Sequence, residues 1–513
     1  KPGESFKYQF KVNQSGTYWY HSHSGLQEQS GHYGPIIVEP READPVEYDR
    51  EYVIVLSDWT FMDPHELFSK LKKMDDYSNY NQRTVGDFLE DVQKDGLGAT
   101  LSDRAMWGGM RMNPTDISDV TGSVYTYLLN GHTAGENWTG LFEAGERIRL
   151  RFINASAMTF FNVRIPGLPM TVVQADGLNV KPVEVDEFQI GVAETYDVVI
   201  TPDAGRAYTL MCENMDRSGY VRGTISPQQG MSAEVPALRG PPLLTMRDMG
   251  HDGMDHAAMG HSAPQPAPAM DHAAMGHGAP AAPAPVDHAA MGHGAPAAVP
   301  AMDHAAMGHG TPAPAPAVDH AAMGHAAAPV PDTAGPLTHD HPTGPGVAMM
   351  PAMVSNRLGE RGIGLAEEPH RVLVYTQLKS LEPNPDRRPP GREVEVHLTS
   401  NMERYMWSFD GVAFSAVVEP IIFHHNERVR LTLVNDTMMP HPIHLHGMFF
   451  DVVNGEDSHK PRKHTIIVKP AERLSVDITA DALGEWAFHC HLLFHMHAGM
   501  MRVFSATHAG TPT

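Results

Sequence analysis

Cysteine is nearly absent: Cys212 and Cys490 are the only two in 513 residues. If either serves a metal, no disulfide framework is left, so cysteine usage is silent about the redox compartment. Also missing is any apolar run of membrane-spanning length, which leaves no candidate transmembrane helix in the sequence. Basic residues are scarce beside acidic ones, 38 against 61, and the net charge of −23 argues against nucleic acid and for cations as partners. Neither an initiating methionine nor a signal peptide precedes Lys1, which is the expectation for a processed chain or a fragment.

What is present is concentrated in W-A-F-H-C-H-L-L-F-H-M-H-A-G-M-M, residues 486–501. Cys490 offers a thiolate, His495 an imidazole and Met500 a thioether; a Cys, two His and a weak axial Met form the ligand set of a blue copper site. The second imidazole must come from elsewhere, and H-P-I-H-L-H-G at 441–447 supplies His441. His489 and His491 flank the cysteine. On a strand they point to the opposite face, where they can hold a different metal while remaining covalently joined to the first. His444 and His446 lie two apart on one strand face, and Y-H-S-H at 20–23 adds His21 and His23.

Internal repetition orders these motifs. Laying K-P-G-E at 1–4 on K-P-A-E at 469–472, a shift of 468, puts Gly16 on Gly484, His21 on His489 and His23 on His491 without a gap. Ser22, Gln27 and His32 then replace Cys490, His495 and Met500, so the N-terminal copy keeps two histidines and lacks the blue site. The counterpart of H-P-I-H-L-H-G falls upstream of Lys1 by the same shift. A third copy lies between: G-E-R-I-R-L-R-F-I-N at 145–154 matches N-E-R-V-R-L-T-L-V-N at 426–435 with a shift of 281, and both alternate as half-buried strands do. That shift sets Phe160, Val163 and Ile165 where His441, His444 and His446 stand. A shift of 278 sets Cys212 on Cys490 with Arg217 and Arg222 for His495 and Met500, so Cys212 reads as a buried thiol.

The middle copy carries an insertion at about 62–118. Asp63-Pro64 with Glu66 predicts a capped helix through about residue 76, and Thr84 with Asp87 a second, ended by Gly96. Met106 and Met110 follow, as core filling or as a path for Cu(I). Residues 229–362 change character to Ala, Pro, Gly, His and Met with no hydrophobic period, which predicts a disordered linker. Within it the octet M-D-H-A-A-M-G-H, or its V-D-H variant, recurs in a 16-residue register. A plain spacer needs neither His nor Met, whereas soft thioethers with imidazoles suit Cu(I). The candidate auxiliary ligands are Met254, His256, Met259, His261, Met270, His272, Met275, His277, His288, Met291, His293, Met302, His304, Met307, His309, His320, Met323 and His325.

The H-P-I-H-L-H-G, H-C-H-L-L-F-H-M and Y-H-S-H stretches resemble three of the four copper motifs of the multicopper oxidases. With R-T-V-G-D-F, M-R-M-N-P-T-D-I and R-F-I-N-A-S-A-M-T-F-F, the likeness narrows to the copper-resistance protein A family, over nearly the whole chain. The repeated units and the resemblance together imply an all-β chain of tandem cupredoxin-like Greek-key β-sandwiches, three in a row. The first would be incomplete at 1–48, the second would span 49–228, the linker 229–362 and the third, carrying the blue site, 363–508. By the family pattern His441, Cys490, His495 and Met500 hold the blue copper, and His444 belongs to the mononuclear member of a three-copper cluster. His21 and His491 would serve one copper of the coupled pair, His23, His446 and His489 the other. Two cluster histidines would be missing with the fourth motif, so the chain as written is expected to be incomplete for oxygen reduction. Cys490, His489 and His491 would carry electrons from the blue copper to the cluster, which reduces O2 to water.

Family membership also implies a periplasmic protein that oxidises Cu(I) to Cu(II) or sequesters copper. A laccase-like phenol oxidase and a copper buffer with little turnover are the alternatives. Asp436, Met438 and Met439, just before His441, are the candidate receivers of Cu(I), because soft sulfur suits Cu(I) and a carboxylate suits Cu(II); D-T-M-M-P as a plain turn is the other reading. Glu28 is an available carboxylate for protons unless it is simply a solvated acid. No protein partner is indicated.

Overall fold

The computed structural model describes residues 3–250, 344–417 and 419–508; the repeat ligands from Met254 to His325 lie outside them. Two β-sandwiches of matching topology dominate. In the middle domain a six-stranded sheet runs in the order Thr126–Leu129, Arg50–Trp59, Ile148–Asn154, Thr195–Ile200, Met170–Ala175, Leu178–Val185. It faces a five-stranded sheet ordered Glu187–Ile190, Phe161–Arg164, Tyr208–Asn214, Tyr220–Ser226, Trp138–Leu141. The C-terminal domain repeats this with Met406–Phe409, Arg392–Asn401, Arg428–Asn435, Arg473–Thr479, Phe450–Val452, Arg462–Lys463 against Thr465–Val468, His441–Leu445, Gly484–Cys490, Met501–Thr507, Ile421–His424. Even the parallel pairs correspond: Arg50–Leu56 on Ile148–Asn154, and Arg392–Leu398 on Val429–Asn435. Alternation explains the layers, since Leu431, Leu433, Val476 and Ile478 are fully buried on one face of the sheet while Arg430 and Asp477, out of phase with them, pair on the other.

The N-terminal stretch is a single hairpin, Gly16–His21 on Tyr33–Val38. Its register repeats that of Gly484–Cys490 on Met501–Thr507: Gly16 pairs Val38 and His21 pairs Tyr33, as Gly484 pairs Ala506 and His489 pairs Met501. Both members of each pair differ by 468, so the duplication holds in three dimensions. Thr17, Arg149 and Arg151 all donate to Asp197 Oδ2, at 2.7–3.0 Å, and fasten this hairpin to the middle domain through a fully buried carboxylate.

Three expectations are corrected. Cys212 pairs Val163, whereas Cys490 pairs Ile443, so the middle domain is out of step by one residue and Phe161, not Phe160, stands at the place of His441. The cause is local. Asn154 and Asn435 clamp equivalent loops, Asn154 Nδ2 donating to Thr159 O and Asn435 Nδ2 to Met439 O, five and four residues on, so the middle loop is one residue longer.

In the insertion, α1 is Pro64–Leu71, shorter than predicted, and α2 is Val85–Asp95 with both reciprocal bonds of its Thr84–Asp87 capping box. A third helix, α3 (Leu97–Met110), was not foreseen, because Gly96 ends α2 and begins α3 at φ 86°.

Composition also misplaced the linker's ends. Residues 229–250 and 344–362 pack on the body, burying Leu244, Met249, Val354 and Leu358. Arg357 binds Asp248 at 2.8 Å and Glu360 at 2.7 Å, joining the two flanks.

Candidate metal centre

The candidate blue-site donors meet between elements. His441 starts one strand, Cys490 ends its neighbour, and His495 sits in α4 (Leu493–Ala498), the short helix that follows. Cys490 Sγ lies 3.5 Å from His441 Nδ1 and 3.9 Å from His495 Nδ1, and the two nitrogens are 3.2 Å apart. Sulfur and nitrogen ligands about 2.3 and 2.0 Å from one metal in tetrahedral array stand about 3.3–3.5 Å from each other. Two of the three separations match this while the Cys490–His495 one is longer, so a single ion suits this donor triangle once His495 closes on it. The outer nitrogens are held. His441 Nε2 is 2.7 Å from Thr437 Oγ1 and His495 Nε2 donates to Asp119 Oδ2 at 2.8 Å, which aims both Nδ1 lone pairs at the thiol. Met500 is fully buried, and its backbone closes the same turn, accepting from Cys490 N at 3.1 Å.

Burial shapes the chemistry of these groups. It pushes the Cys490 thiol up, with Asp119 adding to the effect, and pushes His441 well below its ordinary value, helped by His495. A dry thiol that resists ionisation alone, beside the neutral imidazole of His441, becomes a thiolate only with a cation to balance it.

Across the strand, His489 and His491 face away from the thiol and join two further groups. Donor atoms of His23, His446 and His489 lie within 4.8 Å of one another, as do those of His21, His491 and Glu28. His446 Nε2 and His489 Nε2 are 3.2 Å apart, and His489 Nδ1 donates to Cys490 O, leaving Nε2 to point inward. His444 is fixed the same way, Nδ1 donating to His464 O at 2.7 Å; its ring is 5.6 Å from that of His489 and 5.7 Å from that of His491. Desolvation holds His21, His23 and His446 at about 4 and His444, His489 and His491 well below ordinary values, so all offer lone pairs at neutral pH.

Glu28 is not the solvated acid weighed above. It is 2% exposed, with Oε2 3.0 Å from His21 Nδ1 and Oε1, 3.8 Å from His491 Nδ1, lacking a hydrogen-bond partner. Burial, with Asp58 beside it, raises its pKa well above the usual carboxylate range.

The candidate Cu(I) receivers separate. Met438 lines a cavity of about 440 Å³, whereas Asp436 is fully buried, spends Oδ2 on His397 Nδ1 at 2.8 Å and is not part of the wall; Met439 is buried too. Of the two helix methionines, Met110 reaches the wall and Met106 does not. Sequence reasoning missed Asp119 and Thr437, which act on the site histidines across a long separation and through a hydroxyl, for which spacing carries no signal.

Three family models, each described as multicopper oxidase, match residues 1–43, 50–231 and 387–509. The chain belongs to the multicopper oxidase family. It is 51% identical over 504 residues to copper resistance protein A of Escherichia coli, covering 98% of this chain and 79% of that protein. It is 55% identical over 502 residues to copper resistance protein A of Pseudomonas syringae pv. tomato, with the same coverages. Among solved structures, the laccase from Botrytis aclada aligns with a TM-score of 0.56 at 16% identity, over 97% of this chain and 71% of that one. The multicopper oxidase Fet3p aligns with a TM-score of 0.53 at 15% identity, over 96% and 72%. These likenesses show the fold. As a multicopper oxidase the protein is an oxidoreductase with copper as cofactor and O2 as electron acceptor. No described helix is long and apolar enough to cross a membrane.

Proposed function

We propose that this multicopper oxidase takes Cu(I) as its reducing substrate, in the periplasm, and that His441, Cys490, His495 and Met500 hold its blue copper. His444, His21, His491, His23, His446 and His489 would serve the oxygen-reducing coppers. The observation that carries the substrate reading is the cavity beside the blue site. Met110, Met112, Met349, Met402 and Met438 contribute five thioethers to its wall, with Asp75, Asp76, Asp116 and Glu403 among them and no aromatic residue. Soft sulfur with carboxylates is a wall for a soft cation that leaves harder, whereas a phenol would need an apolar, aromatic-accepting cleft. Asp116 is buried, its Oδ1 has no hydrogen-bond partner, and burial beside Asp119 raises it well above the ordinary range, so a cation there would relieve an unfavourable burial.

The wall is joined to the ligands on both sides. Met438 follows Thr437, which holds His441, and Asp116 stands three residues before Asp119, which holds His495. Bound copper supplies one-electron transfer at the blue site and dioxygen reduction at the cluster. The residues named here hold donors rigid, keep water from the thiolate and place the incoming ion beside the ligand loops. The soft donors of the Met/His repeats support copper retention as an accessory role.

Oxygen uptake by copper-loaded protein with Cu(I) and with a phenol tests this. Asp116→Asn with Met402→Leu should raise the KM for Cu(I) about tenfold, the equivalent of about 1.4 kcal/mol of lost contact, and leave phenol turnover and the blue band near native. Equal loss with both substrates would sink the docking role. Removal of residues 251–330 should lower copper retention more than turnover; unchanged retention would remove the accessory role.

A further inference from the structure

Among the described residues Trp407 is the largest fully buried side chain, and its indole Nε1–H has no hydrogen-bond partner there. A tryptophan whose polar end gains nothing is an expensive way to fill a core that phenylalanine could fill, so the ring itself calls for explanation. Its neighbours supply one. The indole stacks on His495 with ring centroids 3.6 Å apart and planes at 19°, and meets His441 edge-on at 5.3 Å and 70°. One side chain thus touches both imidazoles of the candidate blue site. The strand Met406–Phe409 sets it there, paired to Arg392–Asn401 through Trp407 opposite Ser400. Tyr405 closes another side of His495 at 6.1 Å.

Resting on the blue-copper reading above, we infer that Trp407 is a positioning residue that holds the two imidazoles against rotation and, as their dry wall, keeps the reduction potential of the site high. The oxidised centre carries one more positive charge than the reduced one, and an apolar wall without water penalises the more highly charged form. Shrinking the wall admits water and shifts the balance toward the oxidised state. Freeing His495 about its contact with Asp119 changes the ligand geometry that the unpaired electron senses.

The test uses copper-loaded native protein, Trp407→Phe and Trp407→Leu, each equilibrated with a one-electron mediator while the blue band and the electron paramagnetic resonance spectrum are followed. The electron-exchange constant should move toward the oxidised form about threefold in Trp407→Phe. In Trp407→Leu it should move about tenfold, which is 59 mV for one electron, with altered copper hyperfine splitting. An unchanged midpoint and unchanged hyperfine splitting in Trp407→Phe would overturn the inference even if Trp407→Leu does not fold, because a packing role alone moves stability and not the potential. A native protein without any blue band would sink the copper-site reading itself, and the inference with it.

Discussion

The hairpins Gly16–Val38 and Gly484–Ala506 share every pairing along their length, yet one ends in His21-Ser22-His23 and the other in His489-Cys490-His491. A second comparison runs the other way. Cys212 and Cys490 are both fully buried and burial pushes both thiols up, but the strand beside Cys212 has Phe161 at the place of His441 and Arg164 at that of His444. Backbone and even the cysteine are therefore insufficient. What makes a centre is the convergence of donors from three elements, each aimed by an outer partner such as Thr437 or Asp119.

The sharpest way to break that contrast is to exchange sulfur for oxygen at each place. Cys490→Ser should abolish the intense visible band and turnover together while leaving the fold, since it removes the thiolate that would join the metal to the backbone path toward His489 and His491. Cys212→Ser should retain both, losing about 1–3 kcal/mol of stability because a polar hydroxyl enters an apolar site. A visible band that survived the first change and vanished with the second would place the metal in the middle domain.

Protonation acts on the histidine-rich hairpin and on the C-terminal histidines that face it alike. His21, His23 and His446 have folded values near 4 against an ordinary 6.5, with burial as the leading cause. A lowered folded value means the unfolded chain binds more protons, so stability of the copper-free protein is full above about 6.5 and falls as pH drops toward 4. For His21 the change is on the order of 3 kcal/mol. Glu28, raised by burial, takes up its proton early and offsets part of the loss. Urea midpoints of copper-free protein at pH 7 and pH 5 measure the effect, and replacing His21 with Gln should shrink the difference; a difference unchanged by that substitution would mean other groups dominate.

How much was legible follows from the same particulars. The 468-residue shift was readable because both hairpins keep their histidines and their length. The middle copy slipped by one because an extra residue sits in a loop between Asn154 and Thr159, where no motif marks the step. α3 was hidden because Gly96 served two helices, and residues 229–250 and 344–362 because Pro- and Met-rich composition masks a few well-buried anchors. Asp119 could not have been read at all: its bond to His495 spans 376 residues and depends on the insertion folding against the C-terminal domain.

The least of the expected effects lies in the two glycines that open the matched hairpins. Gly16 has φ 131° and Gly484 φ 132°, a conformation that L residues rarely adopt, so alanine at either position carries a strain of about 1–3 kcal/mol. Surroundings then separate them. A Cβ on Gly16 would come within 2.0 Å of Gly177 O, a backbone atom that cannot swing aside, where the N-terminal hairpin crosses the middle domain. A Cβ on Gly484 meets nothing closer than 3.8 Å, at the Trp486 ring. Gly484→Ala should therefore cost the strain alone and leave the blue band intact, since Cys490 is at the far end of its strand. Gly16→Ala should cost clearly more, and should loosen the hold of the hairpin on Asp197 and with it the approach of His21 and His23 to His446, His489 and His491. Thermal unfolding of the two variants, with copper content as a second reading, measures the difference. Equal losses would mean that the contact of Gly16 with Gly177 yields without cost, and that the N-terminal copy is held to the body by the Thr17, Arg149 and Arg151 bonds rather than by close backbone approach.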